Sequence, residues 1–430
     1  EESLSNIKLN GHLGIGHTRW ATHGEPNDVN SHPHLSNSGN IAVVHNGIIE
    51  NYMQLKSFLT GKGYKFISDT DTEVIAHLID YNYKGDLLKA VMNTMNDVEG
   101  AYALGVICSE YPDRFIAARK DSPLIVGLGE NENFIASDIP AILEYTRDIY
   151  ILEDKEVVSI TANGAEIYNL LGERIYRDIF HVDWDVSSAE KGGYEHFMMK
   201  EICEEPNALK ATIGPRIQNN QIVLDRFNID GGFIKSCEKI NIIACGTAYH
   251  AGVVGKYAIE KLARIPVEVD LASEFRYRDP IINKKQLTIV ISQSGETLDT
   301  LMAMREAKKR GSRIIAIVNV VGSSIAREAD DVLYTWAGPE IAVASTKAYN
   351  TQLAAIYLFT LNLAKQKGEL DEESYQHYIT ELQKLPQQVE AVLGDRELIQ
   401  KFAYEHFNAK SIFFIGRNMD YALSMEGSLK

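Results

Sequence analysis

Positive charge, paired cysteines and long apolar runs are what this sequence has least of. Lys and Arg number 43 against 59 Asp and Glu, a formal charge of −16 over 430 residues. That balance excludes general nucleic-acid binding, which needs a basic surface. It leaves room for one anion site, because local donors outweigh distant charge. The four cysteines, Cys108, Cys203, Cys237 and Cys245, form no C-x-x-C pair and no disulfide framework. A reducing cytoplasm is therefore the expected compartment. No apolar run nears the roughly 18 residues of a membrane span, so no membrane partner is expected. No signal-like segment opens the chain, which begins at Glu1 rather than Met. There is no G-x-G-x-x-G and no G-x-x-x-x-G-K-[ST], so dinucleotide and nucleoside-triphosphate sites lose support.

What is present is enough apolar residue, 45%, for sizeable cores, in a length that suggests about three domains. Residues 1–190 read as strand-rich. Strands are predicted at 41–44, 101–107, 115–118, 149–152 and 156–160. Helical spacing falls on Tyr52, Leu55, Phe58 and Leu59, on Val74, Ile75, Leu78 and Tyr81, and on Leu87, Leu88, Val91, Met92 and Met95. Residues 181–237 lose the strand signal. Residues 183–193 look like a connector, and residues 195–212 like a helix interrupted at Pro206. From Ile240 apolar strands alternate with helices, the pattern of a parallel α/β sheet. Ser411 to Gly416 repeats the strand-and-Gly-turn layout of Asn241 to Gly246. A second α/β unit is therefore expected to begin near residue 405. The roughly 25 residues left cannot close a domain, so the C-terminus reads as a truncation.

Ile291-Ser292-Gln293-Ser294-Gly295-Glu296-Thr297 joins a buried strand to a helix start. Orphan N–H groups and the helix dipole make such a corner an anion site. Gly246 and Thr247 end another strand, and Glu340 to Lys347 gathers Ser345 and Thr346 at a third helix start. The plainer alternative for each cluster is a simple Ser or Thr N-cap. Three clusters at the expected strand ends favour a phosphorylated small molecule.

The first half carries a different chemistry. Arg19, within His17-Thr18-Arg19-Trp20-Ala21-Thr22-His23-Gly24, could clamp a carboxylate bidentately. Asp71 could accept an ammonium. The Asn46 amide and Gly47 N–H could form an oxyanion hole. His17, His23, His32, His34 and His45 admit a metal site, though no zinc-type spacing supports one. For His32 and His34, packing roles on turns are preferred. Asp69 and Glu73 read as a cap and a first-turn acid.

Cys245-Gly246-Thr247, Ser292 to Thr297 and Val343-Ala344-Ser345-Thr346-Lys347 resemble the phosphosugar motifs of the sugar isomerase (SIS) domain. That resemblance implies that Thr247, Ser292, Gln293, Ser294 and Thr297 hold a sugar phosphate, and that Val343 and Ser345 contact the sugar. Ala248 departs from relatives that carry Ser. The motifs around Arg19, Asn46 and Asp71 resemble the glutaminase domain of class II glutamine amidotransferases. Arg19 and Thr22 would then anchor the glutamine carboxylate and Asp71 its amine. Asn46 and Gly47 would form the oxyanion hole, His23 would line the pocket and Trp20 would gate it. The implied fold is an N-terminal-nucleophile-type α/β/β/α sandwich followed by a doubly wound parallel α/β SIS domain and the start of a second. Expected boundaries are 1–190 for the glutaminase domain, 191–230 for a linker, 231–370 for the first SIS domain and 400–430 for the start of the next.

The family nucleophile is an N-terminal Cys whose α-amine acts as base. Glu1 stands at the start here, and only sixteen residues precede His17. The expectation is that the N-terminal part of the domain is missing and that the chain as given is inactive as a glutaminase. Cys108 is expected to be structural. The combination of halves resembles the glutamine–fructose-6-phosphate aminotransferases. It implies glutamine and fructose 6-phosphate as substrates, no cofactor, a homodimer, and Lys430 at the sugar site. Glu340 would reach sugar hydroxyls, and Glu426, one turn before Lys430, ranks lower. A non-catalytic phosphosugar-binding protein and a plain phosphosugar isomerase or deglycase stay open as alternatives.

Overall fold

The computed structural model describes residues 11–19, 24–182, 191–224, 227, 229 and 231–430. Two compact units, residues 1–186 and 187–430, divide the chain.

In chain order the first unit holds β1 (His34–Leu35), β2 (Ile41–Ile49), α1 (Tyr52–Gly61), α2 (Glu73–Asn82), α3 (Leu87–Asp97), β3 (Gly100–Cys108) and β4 (Arg114–Lys120). There follow β5 (Ile125–Leu128), β6 (Asn133–Ala136), β7 (Asp148–Ile151), β8 (Glu156–Thr161), β9 (Gly164–Asn169), β10 (Arg174–Ile175) and β11 (Phe180–His181). Two antiparallel sheets result, ordered β1-β2-β3-β4-β8-β9-β10 and β11-β7-β5-β6. Strand β3 shows why they stack. Its alternate residues Tyr102, Leu104 and Val106 join the core under α2 and α3. Ala103 and Ile107 point the other way, into the core shared with Leu124, Val126 and Tyr150. The period of two thus feeds two cores from one strand.

The second unit begins with α4 (Phe197–Ile213), β12 (Ile217–Gln218), β13 (Gln221–Ile222), α5 (Gly231–Ser236), β14 (Lys239–Ala244) and α6 (Gly246–Leu262). It continues with β15 (Val267–Leu271), α7 (Ala272–Tyr277), β16 (Gln286–Ser292), α8 (Leu298–Lys309), β17 (Arg313–Val318), α9 (Ser324–Glu328) and β18 (Asp331–Tyr334). Four helices close it: α10 (Lys347–Lys367), α11 (Glu372–Gly394), α12 (Arg396–His406) and α13 (Met419–Leu429). The five-stranded parallel sheet has the order β15-β14-β16-β17-β18. Every residue of β16 is buried, as expected of a central parallel strand covered on both faces. On one face Ile240, Ile242, Ile289 and Ile317 pack with Ala251, Ile259, Ile356 and Phe359 of α6 and α10. On the other, Ile243, Val290 and Ala316 pack with Leu301, Met304 and Ile325 of α8 and α9.

Three expectations change. Helix α4 is continuous through Pro206. A proline removes one intrahelical bond, and here the burial of Ala208, Leu209 and Ile213 offsets it. The supposedly strandless 181–237 segment contains the β12–β13 hairpin. Asn219 and Asn220 both have positive φ at its turn, a type I′ signature that Asn tolerates. Residues 411–416 form no strand, and Ile412, Phe413, Phe414 and Ile415 are exposed. No strand among the described residues pairs with them, and an unpaired segment cannot satisfy its backbone as a strand.

Arg216 ties α4 to the sheet. It is fully buried and donates to Thr212 O at 2.7 Å and to Tyr334 O at 2.6 Å. The Thr212 hydroxyl reaches Thr335 O beside it. Arg216→Ala should therefore destabilise the unit by about 3 kcal/mol, through two lost charged hydrogen bonds and two stranded carbonyls. Urea unfolding of the parent and the variant measures this directly.

Candidate functional site

The strand order of the parallel sheet reverses at β14. The chain runs from β14 to β15 on one side, then crosses to β16 on the other. A crevice opens at the carboxyl ends of the two strands flanking such a reversal, where ligands of open α/β sheets bind. A cavity of about 510 Å³ lies there. Its lining combines Gly246 and Thr247 after β14, Ser292, Gln293, Ser294 and Thr297 after β16, Glu340, Val343 and Ser345 ahead of α10, and Lys430. All eight residues predicted for the sugar phosphate, and Lys430, thus border one space.

The turn after β16 is held from within. Gly295 has φ of +65°, and a Cβ there would stand 2.0 Å from Ser323 Oγ. Ser292 Oγ accepts the Gly295 N–H at 3.0 Å and pairs with Thr297 Oγ1 at 3.0 Å. Ser294 Oγ accepts the Glu296 N–H at 3.1 Å. Glu296 Oε1 accepts from Ser324 N at 2.7 Å, and Gly295 O from Ile325 N at 3.0 Å, locking the turn to α9. These hydroxyls shape the loop from within.

Three helices start at this cavity: α6, α8 and α10. Their N-cap residues are Cys245, Thr297 and Thr346, and none caps its helix through its side chain. The simple N-cap alternative is therefore not what the structure contains. For α10 another side chain substitutes. Glu340 Oε1 accepts from Thr346 N at 2.8 Å and Ala348 N at 3.1 Å, while Oε2 accepts from Ser345 Oγ at 2.8 Å. Glu340 is thus engaged in holding its own loop. The starts of α6 and α8 remain open, with orphan N–H groups and positive dipole ends suited to an anion.

Thr247 and Lys430, both predicted, meet in a cluster with Glu426 and with His250, which the sequence reading missed. Thr247 Oγ1 donates to Glu426 Oε1 at 3.0 Å and accepts from Lys430 Nζ at 2.9 Å. His250 Nδ1 donates to Glu426 Oε2 at 2.7 Å. Lys430 Nζ lies 3.1 Å from Glu426 Oε1. Glu426, ranked low from its exposed-looking spacing, is buried and joins all three. Its signal was weak because α13 meets α6 only in the fold, with Ala422 packed on Val253 and Val254.

In the first unit, Trp20, Thr22 and His23 lie outside the described residues. Arg19 donates to Gly24 O at 3.3 Å and Glu25 O at 3.5 Å. Asn30, buried and unremarked in the sequence, donates to Glu25 O at 3.1 Å and accepts from Asp69 N at 2.9 Å. It joins the Arg19 turn to the Asp69–Asp71 loop. Asp71 is buried, and its Oδ2 accepts the Ile49 N–H at 2.8 Å. Asn46 is exposed on β2, and His17 Nε2 donates to its Oδ1 at 2.7 Å. That bond occupies the amide oxygen, and the NH2 is the donor half of the same side chain. Beside it, a Cβ on Gly47 would meet Ala101 O at 2.1 Å, so only glycine fits. The larger cavity of this unit, about 780 Å³ and lined by His12 to Gly16 and Asn131 to Ile135, includes none of these residues. Glu73, expected as a first-turn acid, also accepts from Ile67 N, Ser68 N and Ser68 Oγ.

The histidine rings pack against one another, tilted for His17–His32 and edge-on for His32–His34. Ring centroids are 4.4 Å apart for His17–His32 and 4.9 Å for His32–His34. Among the described residues no cluster of three or more His, Cys, Asp or Glu is arranged to hold a metal. His34 Nε2 meets Thr70 Oγ1 at 3.1 Å. Burial lowers the His32 pKa to about 3, helped by His17 and His34. Burial likewise lowers His45, although Asp71 opposes it.

Residues 233–362 match the family model described as SIS domain, and residues 17–144 match that described as glutamine amidotransferase domain. The chain is 62% identical over 430 residues to the glutamine--fructose-6-phosphate aminotransferase [isomerizing] of Caldanaerobacter subterraneus subsp. tengcongensis, covering all of this chain and 71% of that one. The chain belongs to the glutamine–fructose-6-phosphate aminotransferase family. The protein of the same name from Clostridium tetani is 60% identical over 431 residues, with the same coverage. Among solved structures, the C-terminal domain of glucosamine-fructose-6-phosphate aminotransferase from Francisella tularensis aligns with a TM-score of 0.53 and 40% identity. It covers 56% of this chain and 67% of that one. No described helix is long and apolar enough to cross a membrane.

Neutral histidines give this member of the aminotransferase family a defined acid sensitivity. The unfolded chain protonates histidine near pH 6.5, whereas folded His32 and His45 stay neutral well below that. The unfolded state then binds more protons, so stability rises with pH across that window and falls on acidification. Stability should drop by about 1–2 kcal/mol per such histidine between pH 7 and pH 5. His45→Gln, followed by urea unfolding at both pH values, should flatten the slope.

Proposed function

We propose that this chain transfers the amide nitrogen of glutamine to fructose 6-phosphate and isomerises the product, giving glucosamine 6-phosphate and glutamate. The observation that carries this reading is the single cavity in which two open helix starts adjoin a lysine amine. An anion and a reacting carbonyl have separate partners there.

The sugar phosphate would sit at the starts of α6 and α8, held by backbone N–H groups of the Gly246–Thr247 and Ser294–Thr297 turns, by the Ser294 hydroxyl and by Gln293. Val343 and Ser345 would flank the sugar. In the first unit, Arg19 would take the glutamine carboxylate and Asp71 its ammonium, while Asn46 and Gly47 would stabilise the oxyanion. Thr22, His23 and Trp20 complete that proposed set. Hydrolysis of the amide consumes one water and yields glutamate and ammonia. Ammonia condenses with the sugar C2 carbonyl and expels water as the imine forms. Moving a proton from C1 to C2 through the enaminol, while the C1 hydroxyl gives up its proton and the nitrogen becomes an amine, then leaves an aldehyde at C1 with no further water consumed. The net exchange balances without a redox cofactor. Lys430, hydrogen-bonded to Thr247 and paired with Glu426, would act as an acid or base in the proton steps. Ammonia loses its nucleophilicity once protonated in bulk water, so the transfer favours a closed path. A homodimer in the cytoplasm belongs to the same proposal; the unpaired cysteines support the compartment alone.

The test uses the native full-length protein. Calorimetric titration should show one fructose 6-phosphate site per chain, and glutamine plus fructose 6-phosphate should yield an amino sugar phosphate. Thr247→Val should weaken fructose 6-phosphate binding about tenfold, roughly 1.4 kcal/mol, and leave glutamine affinity unchanged. Glutamate production with no amino sugar phosphate at saturating fructose 6-phosphate would overturn the acceptor assignment.

A further inference from the structure

Helix α4 precedes the stretch matched as an SIS domain, residues 233–362, yet it reaches the wall of the sugar cavity. Glu201 on α4 is 1% exposed. Its Oε1 accepts from Ile341 N at 2.6 Å and Ala342 N at 3.0 Å. Its Oε2 is buried and has no hydrogen-bond partner among the described residues. A carboxylate is costly to bury half-satisfied. A helix-docking role alone would be served as well by an apolar side chain.

The loop it grips has little else to hold it. Between Glu340 and Thr346 no residue is fully buried, and Val343 is 93% exposed. Glu340 fixes the inner end of that loop through Thr346 N, Ala348 N and Ser345 Oγ. Glu201 fixes the middle from outside. Ala342, Val343, Ala344 and Ser345 line the cavity, so the two N–H groups held by Glu201 set where one wall stands. Helix α4 does not depend on Glu201 for its own place. Glu204 Oε2 pairs with Lys347 Nζ at 2.6 Å. Thr212 and Arg216 bind the end of β18, and Leu209 and Ile213 pack with Leu358 and Leu361. Among these anchors, Glu201 is the one that bonds to the loop.

We propose that Glu201 is a positioning residue of the sugar-phosphate pocket, holding the 340–346 loop through the Ile341 and Ala342 amides so that the cavity is formed before the ligand arrives. This rests on the reading of that cavity as the fructose 6-phosphate site. Preorganisation of this kind lowers the ordering cost that a ligand would otherwise meet. Its loss should show mainly in sugar-phosphate affinity.

The experiment compares Glu201→Gln, which keeps the accepting oxygen, with Glu201→Met, which keeps the volume and removes it. Glu204→Gln weakens the α4–α10 ion pair without touching the loop. All are made in the native full-length protein. Glu201→Met should raise the fructose 6-phosphate dissociation constant about tenfold and leave the glutamine KM within about twofold. Glu201→Gln should stay within about threefold of the parent, and Glu204→Gln within about twofold. Amide exchange at Ile341 and Ala342 should quicken at least tenfold in Glu201→Met alone. Unchanged exchange and affinity in Glu201→Met overturn the proposal, as does an equal loss in Glu204→Gln. A parent that binds no fructose 6-phosphate but shows the exchange difference would remove the sugar assignment and leave the loop-holding role standing.

Discussion

The reversal of strand order at β14 is the constraint on which the second unit depends. Because β15 and β16 lie on opposite sides of β14, the connections after β14 and β16 separate above the sheet. Helices α6 and α8 leave toward different cores and their starts come together at the gap. Tight turns must then join strand to helix, and Gly246 and Gly295 supply positive φ there. Once the turns are this tight, the Ser and Thr hydroxyls can bond to one another and to nearby amides. The helix N–H groups are left to the cavity. The phosphate-binding character proposed for the site would therefore originate in backbone geometry, and the hydroxyl-rich motif keeps that geometry in place.

Around an intended anion site one expects cations, and this chain has an excess of acids. The carboxylates nearest the cavity resolve the conflict by pointing at donors of the protein itself. Glu296 faces Ser324 N, Glu340 faces the start of α10, and Glu426 faces Thr247, His250 and Lys430. Each is engaged with hydrogen-bond donors, which offsets much of its field toward a ligand. Local donor geometry thus outweighs a net charge of −16. Glu340 illustrates the cost of that arrangement. The carboxylate that holds the α10 loop also neutralises the α10 start, so two of the three converging helices remain open to an anion.

What was legible in the sequence follows from interaction range. The apolar runs of β14, β16 and β17 are buried on both faces, so composition alone marks them, and α8 keeps the bounds 298–309 that its spacing gave. The Ser-rich turn was legible for the same reason, because its partners lie within a few residues. Asn219–Asn220 carried a turn signal too, but strands of two residues leave no alternation to detect. Pro206 misled because propensity is local, whereas the packing of α4 on α10 and α11 is not. Residues 411–416 misled in the opposite direction, since an apolar run reads as a strand whether or not a neighbour exists to pair with it. Asn30 and Arg216 were out of reach, and Glu426 could be ranked only low. Each has a deciding partner across a large sequence separation, in Asp69, Tyr334 and His250 respectively.

The two units solve recognition by different physics, with different consequences for pH. At the proposed sugar end, helix dipoles and backbone N–H groups would do the holding, and these do not titrate. At the amide end, orientation passes through side chains. His17 aims Asn46, Asn30 joins the Arg19 turn to the Asp71 loop, and the buried Asp71 carboxylate also secures the end of β2 through Ile49. His32 sits against His17 in that network. A proton on His32 would put a charge beside the ring that orients Asn46. Burial prevents this by holding His32 neutral to about pH 3. Acid should therefore disturb the Asn46 corner through unfolding of its surroundings before it does so by direct protonation of His32, while the proposed anion site, built from backbone groups, would follow the charge state of its ligand.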